Sequence, residues 1–232
     1  MNHLGVDEAG KGPVIGSMFV GGVLTDEMNY SKIKDLLTGK NSFKDSKKIK
    51  NNKREDFYDI FKNFAKIDVY EISANEIDRL RTKYTMNEIM VISHAELIKK
   101  FDGDVDVIYL DASDVNEERF GISVKRLVEK FVKPDVKIIS KHKADETYPL
   151  TAAASIVAKV WRERHILDLK KVYGDFGSGY PSDPKTIDFL SNFFKKHNNF
   201  PDIVRRSWKT CERIKNTVNQ KDKSVFSYFS SV

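Results

Sequence analysis

The stretch LGVDEAGKGPVIGSMFVGGVL, residues 4–24, decides the fold that we expect for this chain. Residues 4–9 are apolar up to Asp7, and residues 15–24 are rich in glycine and in β-branched or bulky side chains. The two glycines and the proline within residues 10–13 are residues typical of turns. The stretch therefore predicts two strands joined by a short turn.

Outward from this pair, the chain alternates between strand and helix patterns. Apolar or alternating runs predict further strands at residues 67–72, 106–110 and 136–139. Helical patterns occupy residues 52–64, 86–100, 116–131, 149–169, 184–196 and 207–218. This order predicts an α/β fold with a mixed sheet. We expect one domain over residues 1–200, followed by an appended C-terminal helix and tail over residues 201–232.

The composition is typical of a globular chain. It is 40% hydrophobic and 32% charged, which excludes a disordered protein, and its 12 glycines and 6 prolines exclude collagen-like repeats. The single cysteine, Cys211, excludes an internal disulfide and a cysteine-based zinc site. Asp7, Glu8 and Lys11 interrupt any secretory signal, and the apolar residues 14–24 are too few to span a bilayer. We expect a soluble, cytoplasmic monomer that binds no membrane.

Positive charge is concentrated in two segments. The chain carries a net charge of +6, whereas residues 40–54 and residues 195–223 each carry +6, so the remainder is acidic. Two basic segments on an acidic body indicate a polyanion held at two places. The alternative is a pair of solvated lysine-rich faces.

Four acids lie where predicted elements end or begin. Asp7 and Glu8 close the first strand, and both can reach one site only if the strand ends there, because consecutive side chains alternate in direction. Asp111 closes another strand, and Asp145 precedes a helix. Carboxylates gathered from three element ends suit Mg²⁺ or Mn²⁺. The alternatives are a solvated corner for Asp7 and Glu8, and a capping role for Asp145.

The histidines form no competing metal site in the sequence. They are scattered, and we expect each to be structural or on the surface: His3, His94, His142, His165 and His197. Two glycine-containing loops are better candidates for ligand contact. Gly10-Lys11-Gly12 permits close approach of backbone to a ligand, or is a plain hairpin turn. Tyr180, between Gly179 and Pro181, could stack on a sugar or base, or be a half-buried loop tyrosine.

Seven ordered motifs resemble those of the type 2 ribonucleases H, the ribonuclease HII family, especially its archaeal members. They are GVDEAGKGPVIG (5–16), DSKK (45–48), YLD (109–111), KAD (143–145), AASIVAK (153–159), GDFGSGYPSDP (174–184) and RRSWK (205–209). The related type 3 enzymes are less similar, because they carry a long N-terminal domain before the first motif and lack the tyrosine matched by Tyr180. Most members have arginine where this chain has Lys11.

The resemblance implies a ribonuclease H-like fold with a five-stranded mixed sheet flanked by helices. It implies hydrolysis of RNA in RNA–DNA hybrids and cleavage at single ribonucleotides in duplex DNA, leaving 3′-hydroxyl and 5′-phosphate ends. Asp7, Glu8, Asp111 and Asp145 match the acids that hold two Mg²⁺ or Mn²⁺ ions and perform catalysis. DNA replication and ribonucleotide excision repair are the implied processes.

The resemblance also implies substrate-binding residues. The backbone of Gly10-Lys11-Gly12 reads the ribose 2′-hydroxyl, and Tyr180 stacks at the RNA–DNA junction. Lys143 and Lys159 are further expected substrate-binding residues. We expect contacts to the phosphates, and not to the bases, from five residues of the two basic segments: Lys47, Lys48, Arg205, Arg206 and Lys209. Two rivals with the same fold are a nucleic-acid-binding protein without catalysis and a nuclease acting on DNA branches. The first requires a broken acid set, and the second gives no role to the glycine loop or Tyr180.

The C-terminal tail, residues 219–232, is polar but contains aromatic residues. Val225 stands three positions before Tyr228 and Phe229, a spacing that resembles the sliding-clamp-binding peptide of replication and repair proteins. Asp222 stands where that motif usually has glutamine. The alternative is that the tail folds back onto this protein's own core.

Overall fold

The computed structural model of the chain describes residues 1–38, 51–101 and 103–229. The strands within these residues are β1 (Asn2–Ala9), β2 (Met18–Asp26), β3 (Lys66–Ile72), β4 (Val107–Asp111) and β5 (Lys137–Lys141). The helices are α1 (Glu27–Thr38), α2 (Asn51–Phe61), α3 (Ala74–Arg81), α4 (Met86–Ile98), α5 (Glu117–Val128), α6 (Ala144–Thr147), α7 (Pro149–Tyr173), α8 (Pro184–His197) and α9 (Lys209–Phe229), with a short 3₁₀ turn at Lys99–Phe101. No helix in this part of the chain is both long enough and apolar enough to cross a bilayer.

The five strands form one sheet in the order β3-β2-β1-β4-β5. β1 runs antiparallel to β2 and parallel to β4, while β3 and β5 complete the two edges. The pairing of Ala9 with Phe19 makes β1 and β2 a hairpin, as the first stretch of sequence predicts. The expected α/β fold with a mixed five-stranded sheet is confirmed.

The chain divides into two compact units. The first comprises Met1–Lys11, Met18–Ile72 and Tyr84–Arg164, and the second comprises Gly12–Ser17, Ser73–Lys83 and His165–Val232. The boundary that we expect near residue 200 falls inside the second unit. The division into units describes how residues pack and does not mark where a catalytic domain ends. A catalytic domain over residues 1–200 stays a prediction.

In the first unit, the N-terminal part of α7 packs directly against the sheet. A side chain at Gly5 would meet the backbone carbon of Leu150 at 2.2 Å, so glycine is required for this approach. Small residues on α7 permit the same closeness: Ala153, Ala154 and Ala158 are fully buried. The apolar core that α7 shares with β2, α1 and α2 contains Val23, Ile33, Leu37, Phe61, Leu150, Ala153, Ala154, Ile156, Val157 and Val160.

The second unit has its own apolar core. It is built from the 12–17 segment, the C-terminal part of α7, α8 and α9, and contains Val14, Ile15, Ile166, Phe176, Leu190, Phe194, Phe200, Val204, Cys211, Ile214 and Val218. Asp183 caps α8, since its side chain accepts a hydrogen bond from the backbone of Lys185 at 3.0 Å, and Pro184 follows at the first helical position. Thr186, Leu190 and Phe194, spaced four residues apart, form the buried face of α8.

Two predicted boundaries are wrong. The second strand begins at Met18 and not at residue 15, because Gly16 adopts φ +89° and Ile15 forms only an isolated bridge with Val204. The last helix continues to Phe229 and does not end near Val218, since no glycine or proline interrupts residues 209–229. Three helices were not predicted at all, namely α1, α3 and α6.

Candidate active site

Three of the four predicted acids come together at one edge of the sheet. Asp7 lies near the end of β1 and Asp111 is the last residue of β4, and these neighbouring parallel strands end on the same side. β1 pairs with β4 only as far as Val6, so the residues after Val6 leave that partner strand. One ligand oxygen from each of Asp7, Glu8 and Asp111 lies within 4.8 Å of the others.

The fourth acid, Asp145, lies in the short helix α6. It is outside the group of three, yet its negative charge contributes to raising the pKa of Asp7, which places the two carboxylates in electrostatic contact. The helix is tied to the end of β4, because the backbone N–H of Ala144 donates to Asp111 Oδ1 at 2.8 Å. Asp145 is therefore held next to the group without completing it.

The environment of the acids disfavours their charged forms. Burial raises the pKa of Asp7 well above its usual range, and the charges of Glu8 and Asp111 raise it further, while a hydrogen bond from Ser155 opposes the shift. Burial likewise raises the pKa of Glu8 to about 7, with an opposing hydrogen bond from Ser113. Without a cation, these carboxylates repel one another in a poorly solvated place.

Glu8 has close neighbours on both of its oxygens. The Ser113 hydroxyl donates to Oε1 at 2.5 Å, and the backbone carbonyl of Ser113 accepts from Lys11 Nζ at 3.0 Å. His94 Nε2 lies 3.7 Å from Oε2. His94 is fully buried, and this burial lowers its pKa to about 4, so its ring is neutral at pH 7. Sequence reasoning placed His94 among the structural or surface histidines and did not single out Ser113.

The residues fit a hard divalent cation. The donors are all carboxylate oxygens, which Mg²⁺ and Mn²⁺ prefer. Glu8 Oε2 is buried, and in the described part of the chain it has no hydrogen-bond partner, a situation that a bound cation would relieve. Mutual repulsion among the three acids would be relieved by the same charge.

The predicted recognition loop follows β1. Gly10 is buried and adopts φ +91°, a conformation that only glycine takes without strain. The side chain of Lys11 is directed to the Ser113 carbonyl, and its charge lowers the pKa of Glu8. In the first unit, the Lys11 ammonium is thus associated with the acids.

In the second unit, Gly12 lies beside Tyr180. A side-chain carbon added at Gly12 would stand 3.5 Å from the edge of the Tyr180 ring, which is 39% exposed. The loop before the tyrosine is firmly held, since the Gly179 carbonyl accepts from the backbone of Val14 at 2.8 Å and its N–H donates to Thr186 Oγ1 at 3.0 Å. The tyrosine is therefore a partly exposed ring on a rigid loop.

Arg205 does not fit the predicted phosphate contact. It is fully buried, its Nε donates to the Gly16 carbonyl at 2.9 Å, and its guanidinium lies 5.0 Å from the centre of the Trp208 ring. Trp208 Nε1 in turn donates to the Gly12 carbonyl at 3.2 Å. Arg205 and Trp208 fix the 12–17 segment from within. The basic motif that contains them suggested surface contacts because burial is not visible in sequence.

The remaining basic candidates are exposed, partly buried or outside the described residues. Arg206 and Lys209 are exposed, and Lys143 is exposed beside Asp145 at φ +55°. Lys159 lies in α7 and is partly buried. Lys47 and Lys48 fall outside the described residues. Of the five predicted cations that the structure describes, three are therefore on the surface.

Comparisons with known proteins agree on one family. The family model described as Ribonuclease HII matches residues 4–211. A Ribonuclease HII from Methanococcoides burtonii is 46% identical over 92% of this chain and 99% of its own length. The structure of ribonuclease H2 from Pyrococcus horikoshii OT3 is 37% identical, covers 94% of this chain and 99% of that one, and superposes with a TM-score of 0.84.

A third similarity is to an assembly. The PCNA:RNase HII complex from Archaeoglobus fulgidus contains a chain that is 37% identical, with coverage of 92% of this chain and 96% of that one and a TM-score of 0.77. The similarities extend over nearly the whole of each chain, and the acidic group lies at the sheet edge described above. This chain belongs to the ribonuclease HII family, metal-dependent endoribonucleases that act on RNA–DNA hybrids.

Proposed function

We propose that this enzyme cleaves at single ribonucleotides embedded in duplex DNA as well as in long RNA–DNA hybrids. The observation that carries the proposal is the group formed by Asp7, Glu8 and Asp111, whose ligand atoms lie within 4.8 Å of one another in a chain of this family. With Asp145 beside them, these acids would hold two Mg²⁺ or Mn²⁺ ions. The products would carry a 3′-hydroxyl and a 5′-phosphate. The enzyme would act in ribonucleotide excision repair and DNA replication, in the cytoplasm.

The protein's part in catalysis is placement and charge. When bound, the ions would lower the pKa of the attacking water and neutralise the leaving 3′-oxygen during in-line displacement. Asp7 and Asp111, at adjacent strand ends, would hold the ions. Glu8, oriented by Ser113, would supply a further carboxylate. Because both strands belong to the sheet, the acids sit on rigid elements.

The backbone of Gly10-Lys11-Gly12 would recognise the ribose 2′-hydroxyl, the group that distinguishes RNA from DNA. Two facts support backbone recognition over side-chain recognition. The Lys11 ammonium already donates to the Ser113 carbonyl, and Gly10 requires a backbone conformation that no other residue adopts easily. A lysine in place of the family's usual arginine is compatible with this role.

Tyr180 would stack at the junction between the ribonucleotide and the following DNA. Its partial exposure and its position on a loop held by backbone hydrogen bonds support this role. Base stacking on an aromatic ring stabilises binding by about 1–3 kcal/mol. Arg206, Lys209, Lys143 and Lys159 would contact phosphates, together with Lys47 and Lys48.

The C-terminal segment would bind a sliding clamp. The similar chain from Archaeoglobus fulgidus is in a complex with PCNA, and the helix α9 of this chain continues through residues 225–229. A calorimetric titration of the organism's clamp with wild type, Tyr228→Ala/Phe229→Ala and a Ser227→Ala control tests the idea. We expect only the double variant to lose binding. If the double variant binds the clamp normally but melts earlier, the segment belongs to the core.

The substrate class is tested with four duplexes of one sequence. They are DNA with a single ribonucleotide, a continuous RNA–DNA hybrid, all-DNA and all-RNA, each incubated with Mg²⁺ or with a chelator. We expect cleavage of the first two only, and only with metal, with ends that a DNA polymerase can extend. Cleavage of the hybrid but not of the single ribonucleotide would overturn the junction proposal while leaving hybrid hydrolysis intact.

A further inference from the structure

Ser113 connects the loop after β1 with a carboxylate of the acidic group. It stands two residues beyond the end of β4, where its hydroxyl donates to Glu8 Oε1 at 2.5 Å. Its carbonyl accepts from Lys11 Nζ at 3.0 Å. One residue therefore contacts both a predicted metal ligand and the predicted recognition loop, through two different groups.

The opposite side of the same carboxylate is closed by His94. Its Nδ1 lies 2.9 Å from the carbonyl of Met90, and Phe120 packs edge-on against the ring with centroids 5.1 Å apart, so the ring cannot turn freely. A carbonyl only accepts, so Nδ1 carries the hydrogen and Nε2 faces Glu8 Oε2 without one. Among the described residues, neither Nε2 nor Oε2 has a hydrogen-bond partner.

The two neighbours restrict the plane in which the carboxylate can lie. Oε1 accepts from the Ser113 hydroxyl, and the His94 ring packs 3.7 Å from Oε2 on the other side. A free glutamate side chain loses considerable rotational freedom when it binds a metal. A carboxylate that is already oriented loses less, and residues that orient a ligand from outside commonly change metal affinity 10–100-fold.

We propose that Ser113 is a positioning residue that orients the Glu8 carboxylate for metal binding, while His94 packs against the other carboxylate oxygen. The inference rests on the proposed metal site. Ser113 also joins Lys11 to Glu8, so displacement of the loop would be transmitted to the same carboxylate. Ser113 does not touch the substrate or the metal in this role.

The test compares Ser113→Ala with a variant that keeps the hydroxyl, Ser113→Thr. Ser140→Ala is the matched control, because Ser140 lies on the adjacent strand β5 and its buried hydroxyl has no hydrogen-bond partner in the part of the chain described. Mn²⁺ is titrated calorimetrically into each full-length protein without nucleic acid. Melting temperature and hybrid binding in a chelator are measured alongside.

We expect Ser113→Ala to weaken Mn²⁺ binding about tenfold, with hybrid binding unchanged. Ser113→Thr and Ser140→Ala should remain within twofold of wild type. If Ser113→Ala lowers the melting temperature but binds Mn²⁺ as tightly as wild type, the residue is only structural and the inference is wrong. Asp111→Asn distinguishes a failure of this inference from a failure of the proposed metal site. Normal Mn²⁺ binding by that variant would overturn the metal site itself.

Discussion

Two sets of acids, one in each compact unit, lie in opposite environments. In the first, Asp7 and Glu8 are crowded by other carboxylates, and burial raises their pKa values. In the second, Asp175 accepts from Lys170 at 2.9 Å and from Lys185 at 3.0 Å, which hold its pKa well below the usual range. Acids that stabilise a fold are paired with cations or backbone N–H groups. Acids that are buried together, so that their charged forms are disfavoured, indicate a place where a cation is to be bound.

The largest effect should come from removing an acid of the first unit. Asp7→Asn or Asp111→Asn should reduce cleavage by at least about a thousandfold, since even one stabilising group in an active site is worth 10²–10³. Hybrid binding should persist, because the exposed basic residues remain. Single-turnover cleavage and binding in a chelator measure both quantities.

The matched control for this experiment is Asp168→Asn, which removes an exposed acid paired with Lys171. It should cleave at the wild-type rate. Near-normal cleavage by Asp7→Asn or Asp111→Asn at ordinary Mg²⁺ concentrations would show that the clustered acids matter no more for catalysis than the paired acid Asp168.

A smaller effect is expected in the loop of residues 10–12. Gly12→Ala should reduce cleavage strongly, because the added methyl group would occupy the space over the backbone that the ribose is expected to approach. The methyl group itself would make only an ordinary contact with the Tyr180 ring, at 3.5 Å. Lys11→Arg should be mild, because a longer side chain can still reach the Ser113 carbonyl. Rates on the single-ribonucleotide duplex measure both variants. A tenfold or greater loss in Lys11→Arg would show that the side chain does the reading.

Tyr180 allows substrate recognition to be tested separately from the chemical step. Tyr180→Ala should impair cleavage at single ribonucleotides more than cleavage of long hybrids, because only the former present a junction at every cut. Tyr180→Phe, which keeps the ring, is the control and should behave as wild type. Equal losses on both substrates would make Tyr180 a structural residue.

The smallest effect concerns the exposed and buried cations of the second unit. Lys209→Gln should weaken binding alike for all sequences and reduce the salt slope by about 0.9, the contribution of one phosphate contact on B-like duplex. Arg205→Gln should instead lower the melting temperature, because Arg205 holds the Gly16 carbonyl from a buried position. Binding titrations at several salt concentrations measure the slope. An unchanged slope for Lys209→Gln would show that Lys209 is a solvated surface residue that contacts no phosphate.

Much of the site could be predicted because it depends on strand ends. Asp7 and Asp111 each follow an apolar run, and parallel neighbouring strands bring such ends together. Their convergence follows from pattern and topology alone.

Other features depend on tertiary placement, which no local pattern carries. His94 reaches Glu8 from the middle of α4, and Arg205 is buried although its neighbour Arg206 is exposed. Short helices also escaped prediction. α3 has eight residues, and it is defined by the cap that Ser73 forms with the backbone of Glu76 at 3.2 Å.

We expect Asp7, Glu8 and Asp111 to oppose folding until a cation is bound. The folded-state pKa of Glu8 is raised from 4.5 to about 7, so its contribution to stability is present below pH 4.5 and is lost as the pH rises through 7. Without metal, Glu8→Gln should therefore melt at the wild-type temperature near pH 5 and several degrees higher at pH 8. Asp7→Asn should behave in the same direction.

The most direct measurement is the melting temperature at pH 8 with and without Mg²⁺, for wild type, Asp111→Asn and Asp183→Ala. Mg²⁺ at ten times its dissociation constant should stabilise wild type by about 1.4 kcal/mol, or roughly 3–6 °C. Asp183→Ala should lose the α8 cap, melting about 2–4 °C lower, yet gain as much from Mg²⁺ as wild type. Asp111→Asn should gain little. An equal gain from Mg²⁺ in Asp111→Asn and wild type would contradict the expectation that these acids bind the cation.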